Sequence, residues 1–262
     1  MYPNELIPGS GIDLYVVFLC VAISAAILVF RHFADKRSLS AKFQNFCLAV
    51  GAGAILLGYL SAVLFQAFYN IGTRGRFEIT ADTGATFYGG LIGGAASFLL
   101  LYFAVGAFRF RETGEHKKSF LDVADSAACA IVLAHAFGRI GCLMAGCCHG
   151  ARTDAWYGIT MKYLGYKVVP LQLFEALYLF GLFVLLAFLV RRFRGYALPV
   201  YMCAYGVWRF LLEYLRDDYR GTTFVSFLTP SQLTAVWMIL GGVALFFIFR
   251  RLGRVSAHGE EE

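Results

Sequence analysis

The chain has 262 residues, 59% of them hydrophobic and 15% charged, with a net charge of +6 and a mean hydropathy of +0.65. A soluble globular chain carries about 25% charged residues, so this composition excludes one. The basic balance gives no support for nucleic-acid binding, because its Lys and Arg fall in short loops between apolar runs.

Runs long enough to cross a bilayer, about 17–25 residues each, recur at about 14–31, 46–68, 84–108, 120–145, 171–190, 197–215 and 230–249. They predict an all-α integral membrane protein of about seven transmembrane helices. Little is left over, so residues 1–262 read as a single polytopic domain with a disordered tail from about 256. The segment before the first run lacks a basic n-region and a cleavage site, so no removable signal peptide is expected.

One set of connections holds Arg31, Lys36, Arg37, Lys42, Arg109, Arg111, Lys117, Lys118, Arg191, Arg192, Arg194, Arg250, Arg251 and Arg254. The other has about half as many basic residues, mixed with Glu78, Asp82, Asp154, Asp217 and Asp218. The richer loops are expected in the cytoplasm, which puts the N-terminus outside and the C-terminus inside.

With that orientation, polar residues within the spans gather towards the outer surface. Tyr15 opens span one, and Tyr88 opens span three ahead of Gly89-Gly90-Leu91-Ile92-Gly93-Gly94. Span four carries Arg139 in its outer part and ends in Gly141-Cys142-Leu143-Met144-Ala145-Gly146-Cys147-Cys148-His149. Span five begins with Pro170, Gln172 and Glu175; span six ends with Arg209, Glu213 and Arg216, spaced i, i+4 and i+7 on one helix face. Charge inside a membrane is costly and points into the bundle, towards a cavity or a partner. An arginine there stays ionised and calls for an anion, of which lipid phosphate is the plentiful one.

Simpler readings stand beside these. Arg209 and Glu213 can be an intrahelical ion pair, and Arg216 and Asp217 headgroup anchors. The glycines of span three, with Gly51, Gly53 and Gly58 of span two, suit close helix packing. Asp122 and Asp125 fit a helix cap and its dipole. Cys142, Cys147, Cys148 and His149 could supply zinc ligands, but their spacing lacks the usual paired Cys-x2-4-Cys and His-x3-5-His form. A redox pair needs two thiols within disulfide reach on an oxidising face, and packing or substrate contact is the simpler reading. His135 reads as a bundle-facing hydrogen-bonding residue, and His149 as the better acid–base candidate.

These residues resemble the prolipoprotein diacylglyceryl transferase family of bacterial cytoplasmic (inner) membrane enzymes. Tyr15 sits where that family has its first-span tyrosine, and Tyr88-Gly89-Gly90-Leu91-Ile92-Gly93 is similar to its His-Gly-Gly-Leu-Ile-Gly. Gly138-Arg139-Ile140-Gly141 resembles the opening of its Gly-Arg-Ile-Gly-Asn-Phe-x-Asn-x-Glu signature, and Pro170–Glu175 its Pro-Ser-Gln-Leu-Tyr-Glu. Residues 205–216 match Tyr-Gly-x-x-Arg-Phe-x-x-Glu-x-x-Arg. The departures are Tyr88 for the histidine, Cys142 and Ala145 for the asparagines, Cys147 for the glutamate, and Leu60 for an arginine of the second span.

The resemblance implies transfer of a diacylglyceryl group from phosphatidylglycerol, or a related anionic phospholipid, to the lipobox cysteine of a prolipoprotein signal peptide. The reaction is displacement at an sp3 carbon by sulfur, with a phosphate oxygen leaving, so it needs an ionised thiol and a neutralised phosphate. Arg139 and Arg209 are assigned the phosphate, with Glu213 positioning Arg209. Tyr88 and His149 are candidates for ionising the thiol, as is a thiolate of the cluster such as Cys147. Tyr15, Gly138, Gln172, Glu175 and Arg216 complete the expected substrate site. No metal or other cofactor is required. The exchanged residues leave open a different acceptor for the same lipid chemistry, or a lipid-binding or transport protein without catalysis.

Overall fold

The computed structural model describes residues 13–75, 77, 79–80, 83–84, 86–161, 164–216 and 227–258. Glu78, Asp82, Asp217 and Asp218, used in the orientation argument, lie outside them, as do residues 259–262 of the expected tail.

Eight α-helices are formed by the described residues: α1 (Leu14–Lys36), α2 (Ala41–Arg74), α3 (Phe87–Arg109), the short α4 (Glu115–Lys118), α5 (Phe120–Ala145), α6 (Leu171–Arg192), α7 (Ala197–Leu212) and α8 (Pro230–His258). All except α4 correspond to an expected span. Six are long and apolar enough to cross a membrane. The seventh, α7, has 16 residues, about 24 Å of helix against a hydrocarbon core of about 30 Å. A 3-10 turn over Glu213–Leu215 extends it.

The chain forms two compact units, Ser38–Phe120 and Met1–Arg37 with Leu121–Glu262. In the smaller, α2 starts where the Ser40 side chain accepts from the Phe43 N–H and ends at Gly75, whose φ of +73° closes the helix. Helices α2 and α3 meet through small residues, as the glycine pattern predicts. A Cβ on Gly58 would stand 3.0 Å from the Gly94 backbone, and one on Gly89 2.7 Å from Phe65. Gly51 has open space beside it and is not part of that contact. At the far end Tyr102 is buried among aromatic rings and donates to the His116 carbonyl.

The larger unit holds α1, α5, α6, α7 and α8; helices consecutive in this order run in opposite directions, while α5 and α7 lie side by side in the same direction. The start of α1 packs on the end of α5, where Tyr15 lies 3.3 Å from the Cβ position of Gly141. The end of α1 returns to the start of α5, where Arg37 meets Asp122 at 3.7 Å. Between these ends the core is apolar, built from Phe33, Val132, Leu179, Leu186 and Tyr201 among others.

The end of the unit around Arg37 is tied by carboxylates. Asp122 accepts from Arg194 Nε at 3.0 Å and Nη2 at 2.7 Å. Asp125, fully buried, accepts from the backbone N–H of Gly195 (2.6 Å) and Ala197 (2.8 Å). The sequence suggested that both aspartates serve their own helix start. Asp122 does lie in the first turn of α5, but both carboxylates also hold the α6–α7 turn, and Asp125 satisfies the first N–H of α7, that of Ala197, for which Tyr196 supplies no side-chain cap.

At the opposite end the α5–α6 connection is a small hairpin, β1 (Ile159–Thr160) against β2 (Lys167–Val168). The Gly150 N–H donates to Val169 at 2.8 Å, and the Ala151 N–H to Leu215 at 2.9 Å. Gly150 is obligatory there, since a Cβ would come within 2.6 Å of the Leu215 carbonyl. Helix α8 begins in a capping box: Thr229 Oγ1 accepts from the Gln232 N–H at 3.2 Å, and Gln232 Oε1 from the Thr229 N–H at 3.1 Å. Pro230 fills the first helical position, which needs no donor.

Candidate active site

The hairpin end collects most of the expected residues. Helix α5 delivers Arg139 to Glu175 on α6, with Nε 2.9 Å from Oε2. The other Glu175 oxygen accepts from the Tyr205 hydroxyl of α7 at 2.5 Å. His135 lies one turn before Arg139, 3.9 Å from Glu175 and 3.4 Å from the Tyr201 hydroxyl. It is a bundle-facing hydrogen-bonding residue, as read from sequence. Glu175 is therefore the shared anion of three helices, with only 5% of its side chain exposed. Burial makes its attraction to Arg139 strong, and truncating one partner would leave the other charge unpaired.

The second arginine stands on its own support. Arg209 Nη2 contacts Glu213 Oε2 at 3.1 Å and donates to Ser231 Oγ at 2.8 Å. The other Glu213 oxygen accepts from Thr229 Oγ1 at 2.9 Å. The ion pair within α7 and its 3-10 extension thus exists, and α8 fixes it from outside. Ser231 and Thr229 were missed in the sequence; the signal was the capping box Thr229-Pro230-Ser231-Gln232.

Arg216 departs from the expected helix face. The α-helix stops at Leu212, and Arg216 is extended, at φ −108° and ψ 151°. It reaches the site by another path, donating from Nη1 to the Cys148 carbonyl at 3.3 Å. Gln172, buried at the start of α6, donates to the Cys147 carbonyl.

The loop closing α5 turns sharply. Gly146 and Cys148 both have left-handed backbones, at φ +68° and +62°, costly for a cysteine. The turn folds the chain back on itself, so the sulfurs of Cys142, Cys147 and Cys148 lie within 4.8 Å of one another. All three are free thiols. The sequence offered Cys147 as one candidate thiolate, but burial pushes that thiol up. Its neighbour Cys148 is the one lowered, to about 5, by a hydrogen bond from Cys142. Burial opposes this shift; Cys147, Arg139 and Arg216 assist it. His149 turns its Nδ1 to the Gly150 carbonyl, 2.9 Å away.

Tyr15 and Gly138 flank this group. Tyr15 packs on Gly141, while a Cβ at Gly138 would meet nothing within 4 Å. Tyr88 is placed in the first turn of α3, half-buried in the smaller unit.

Apolar helices that bring arginines and glutamates to one end of a bundle define a multi-pass membrane protein with a polar site. The family model described as prolipoprotein diacylglyceryl transferase matches residues 5–248, and the chain belongs to that family.

Among curated relatives, the chain is 34% identical over 178 residues to a Clostridium perfringens protein named phosphatidylglycerol–prolipoprotein diacylglyceryl transferase 2. That alignment spans 65% of this chain and 64% of the relative's length. The Clostridium tetani protein named phosphatidylglycerol–prolipoprotein diacylglyceryl transferase is 30% identical over 92% of this chain and 95% of its own length. The corresponding Campylobacter curvus protein is 26% identical over 93% and 92%.

Proposed function

We propose that the chain transfers a diacylglyceryl group from phosphatidylglycerol to the cysteine thiol of a prolipoprotein, at the outer leaflet of the bacterial cytoplasmic membrane. The observation that carries this reading is the pair of arginines at one end of the larger unit, each held by its own buried glutamate. A guanidinium has five N–H donors in a planar fork, so Arg139 can keep Glu175 and still donate to phosphate oxygens. Preorganised donors of this kind matter most where charge builds, on the departing phosphate oxygen.

In the reaction the acceptor loses its S–H proton, a sulfur–carbon bond forms to the glyceryl carbon, and that carbon's bond to the phosphate oxygen breaks. Glycerol phosphate leaves with the electron pair. Arg139 and Arg209 stabilise it, Glu175 and Glu213 position them, and Gln172, Arg216, Tyr15 and Gly138 shape the substrate site. Tyr88 and His149 stay in the proposal as candidates for handling the thiol proton.

Expression in a strain depleted of its own transferase is expected to restore growth and lipoprotein modification. Failure to modify any lipoprotein there would favour a different acceptor. The outward orientation is tested by reporter fusions at Glu262 and in the 148–170 loop, which should report opposite compartments.

A further inference from the structure

The three thiols at the end of α5 form a group that the transfer reading above leaves unused. Their sulfurs already lie within 4.8 Å of one another. Three thiolates bound tetrahedrally to zinc at about 2.3 Å stand about 3.8 Å apart, so the sulfurs are already within about 1 Å of that spacing. The backbone around them is pinned. The Cys147 N–H donates to the Cys142 carbonyl at 3.2 Å, the Cys147 carbonyl accepts from Gln172, and the Cys148 carbonyl accepts from Arg216. A disulfide would use two of the sulfurs and leave the third; a thiophilic ion uses all three.

We propose that Cys142, Cys147 and Cys148 bind a thiophilic divalent cation of the zinc class, and that its fourth position takes the acceptor's cysteine thiol. Three thiolates around a divalent ion carry a net charge of −1, which Arg139, one turn before Cys142, and Arg216 at Cys148 counterbalance. Cys147 is exposed and the other two are half-buried, so the ion has an open side. Three protein ligands with one open position is the arrangement of a zinc site that engages substrate.

Binding there breaks the acceptor's S–H bond as the metal–sulfur bond forms, and the proton passes to water. The ion thus delivers an ionised sulfur beside the arginine assigned to the phosphate. This second half rests on the transferase reading; the metal site does not.

The test uses the full-length protein, purified in detergent, reduced and dialysed against Zn2+ or Co2+. One metal per chain is expected, with cobalt showing the charge-transfer absorption of three thiolates. Cys142→Ser, Cys147→Ser and Cys148→Ser should each lose bound metal while eluting as the folded protein. Adding a lipobox peptide should raise the absorption to that of four thiolates, and the same peptide with serine in place of cysteine should not.

No retained metal, or full retention by any of the three serine variants, overturns the site. Bound metal blind to the peptide overturns the open position. Transfer activity is scored separately. Full-rate transfer by metal-free protein contradicts this proposal and leaves the transferase reading intact. Loaded protein that takes the peptide thiol but transfers nothing contradicts the transferase reading and leaves the metal site standing.

Discussion

Both ends of the five-helix unit set arginines against buried carboxylates, and the two ends use them differently. Around Arg37 the carboxylates are consumed by structure: Asp122 takes Arg194 through two nitrogens, and Asp125 takes two backbone N–H groups of the α6–α7 turn. Around Arg139 and Arg209 each guanidinium has its own carboxylate, and the partners come from α6, α7, its 3-10 extension and the start of α8. A charge network that closes on itself holds helices together, whereas one with donors to spare can hold a ligand.

Substitutions that separate activity from folding sharpen this contrast. Arg209→Ala is expected to cut transfer by about 100- to 1000-fold, the effect of losing one preorganised donor at a developing charge. Its melting temperature in detergent should fall, because Glu213 is left buried without its partner, while the protein stays folded at the temperature of the assay. An unfolded Arg209→Ala would place this arginine with the structural end.

Asp125→Ala is expected to do the reverse. It strips charge-assisted hydrogen bonds from two N–H groups, at about 1.5–3 kcal/mol for each such bond. Thermal unfolding should shift down, while the fraction that stays folded keeps its specific activity. Unchanged melting would show that the turn does not depend on the carboxylate.

The smallest effect concerns the thiols. In reduced protein freed of metal by a chelator, Cys148 should be largely thiolate above about pH 5 and lose that form as pH falls through it. Its alkylation by iodoacetamide should therefore change little between pH 6 and 8. Cys147, held up by burial, should react faster as pH rises through the same range. Mass spectrometry of the labelled peptide separates the two, and the opposite order would restore Cys147 as the ionised thiol.

Much of this arrangement could be read from the chain because membrane energetics leave few choices. Arg139, Glu175, Arg209 and Glu213 had to face inward, and their spacing from the ends of the apolar runs set a common depth. What could not be read depends on where helices stop. Arg216 falls on the face of an ideal helix, but α7 ends at Leu212 and its side chain arrives from an extended strand of backbone. The partners of Asp122 and Asp125 are 70 or more residues away, beyond any local pattern. The choice between Cys147 and Cys148 turns on a left-handed residue in the loop, which the sequence does not announce for cysteine.

The central claim is that Arg139 receives the phosphate of the lipid through its planar fork. The most direct measurement is transfer of diacylglycerol from phosphatidylglycerol to a lipobox peptide, followed as the peptide's mass gain, for the unaltered protein, Arg139→Ala and Arg139→Lys. The account predicts a loss of at least about 100-fold for alanine, and a substantial loss for lysine, which keeps the charge but not the paired donors. Transfer at the unaltered rate by folded Arg139→Ala, or full activity in Arg139→Lys, would contradict it.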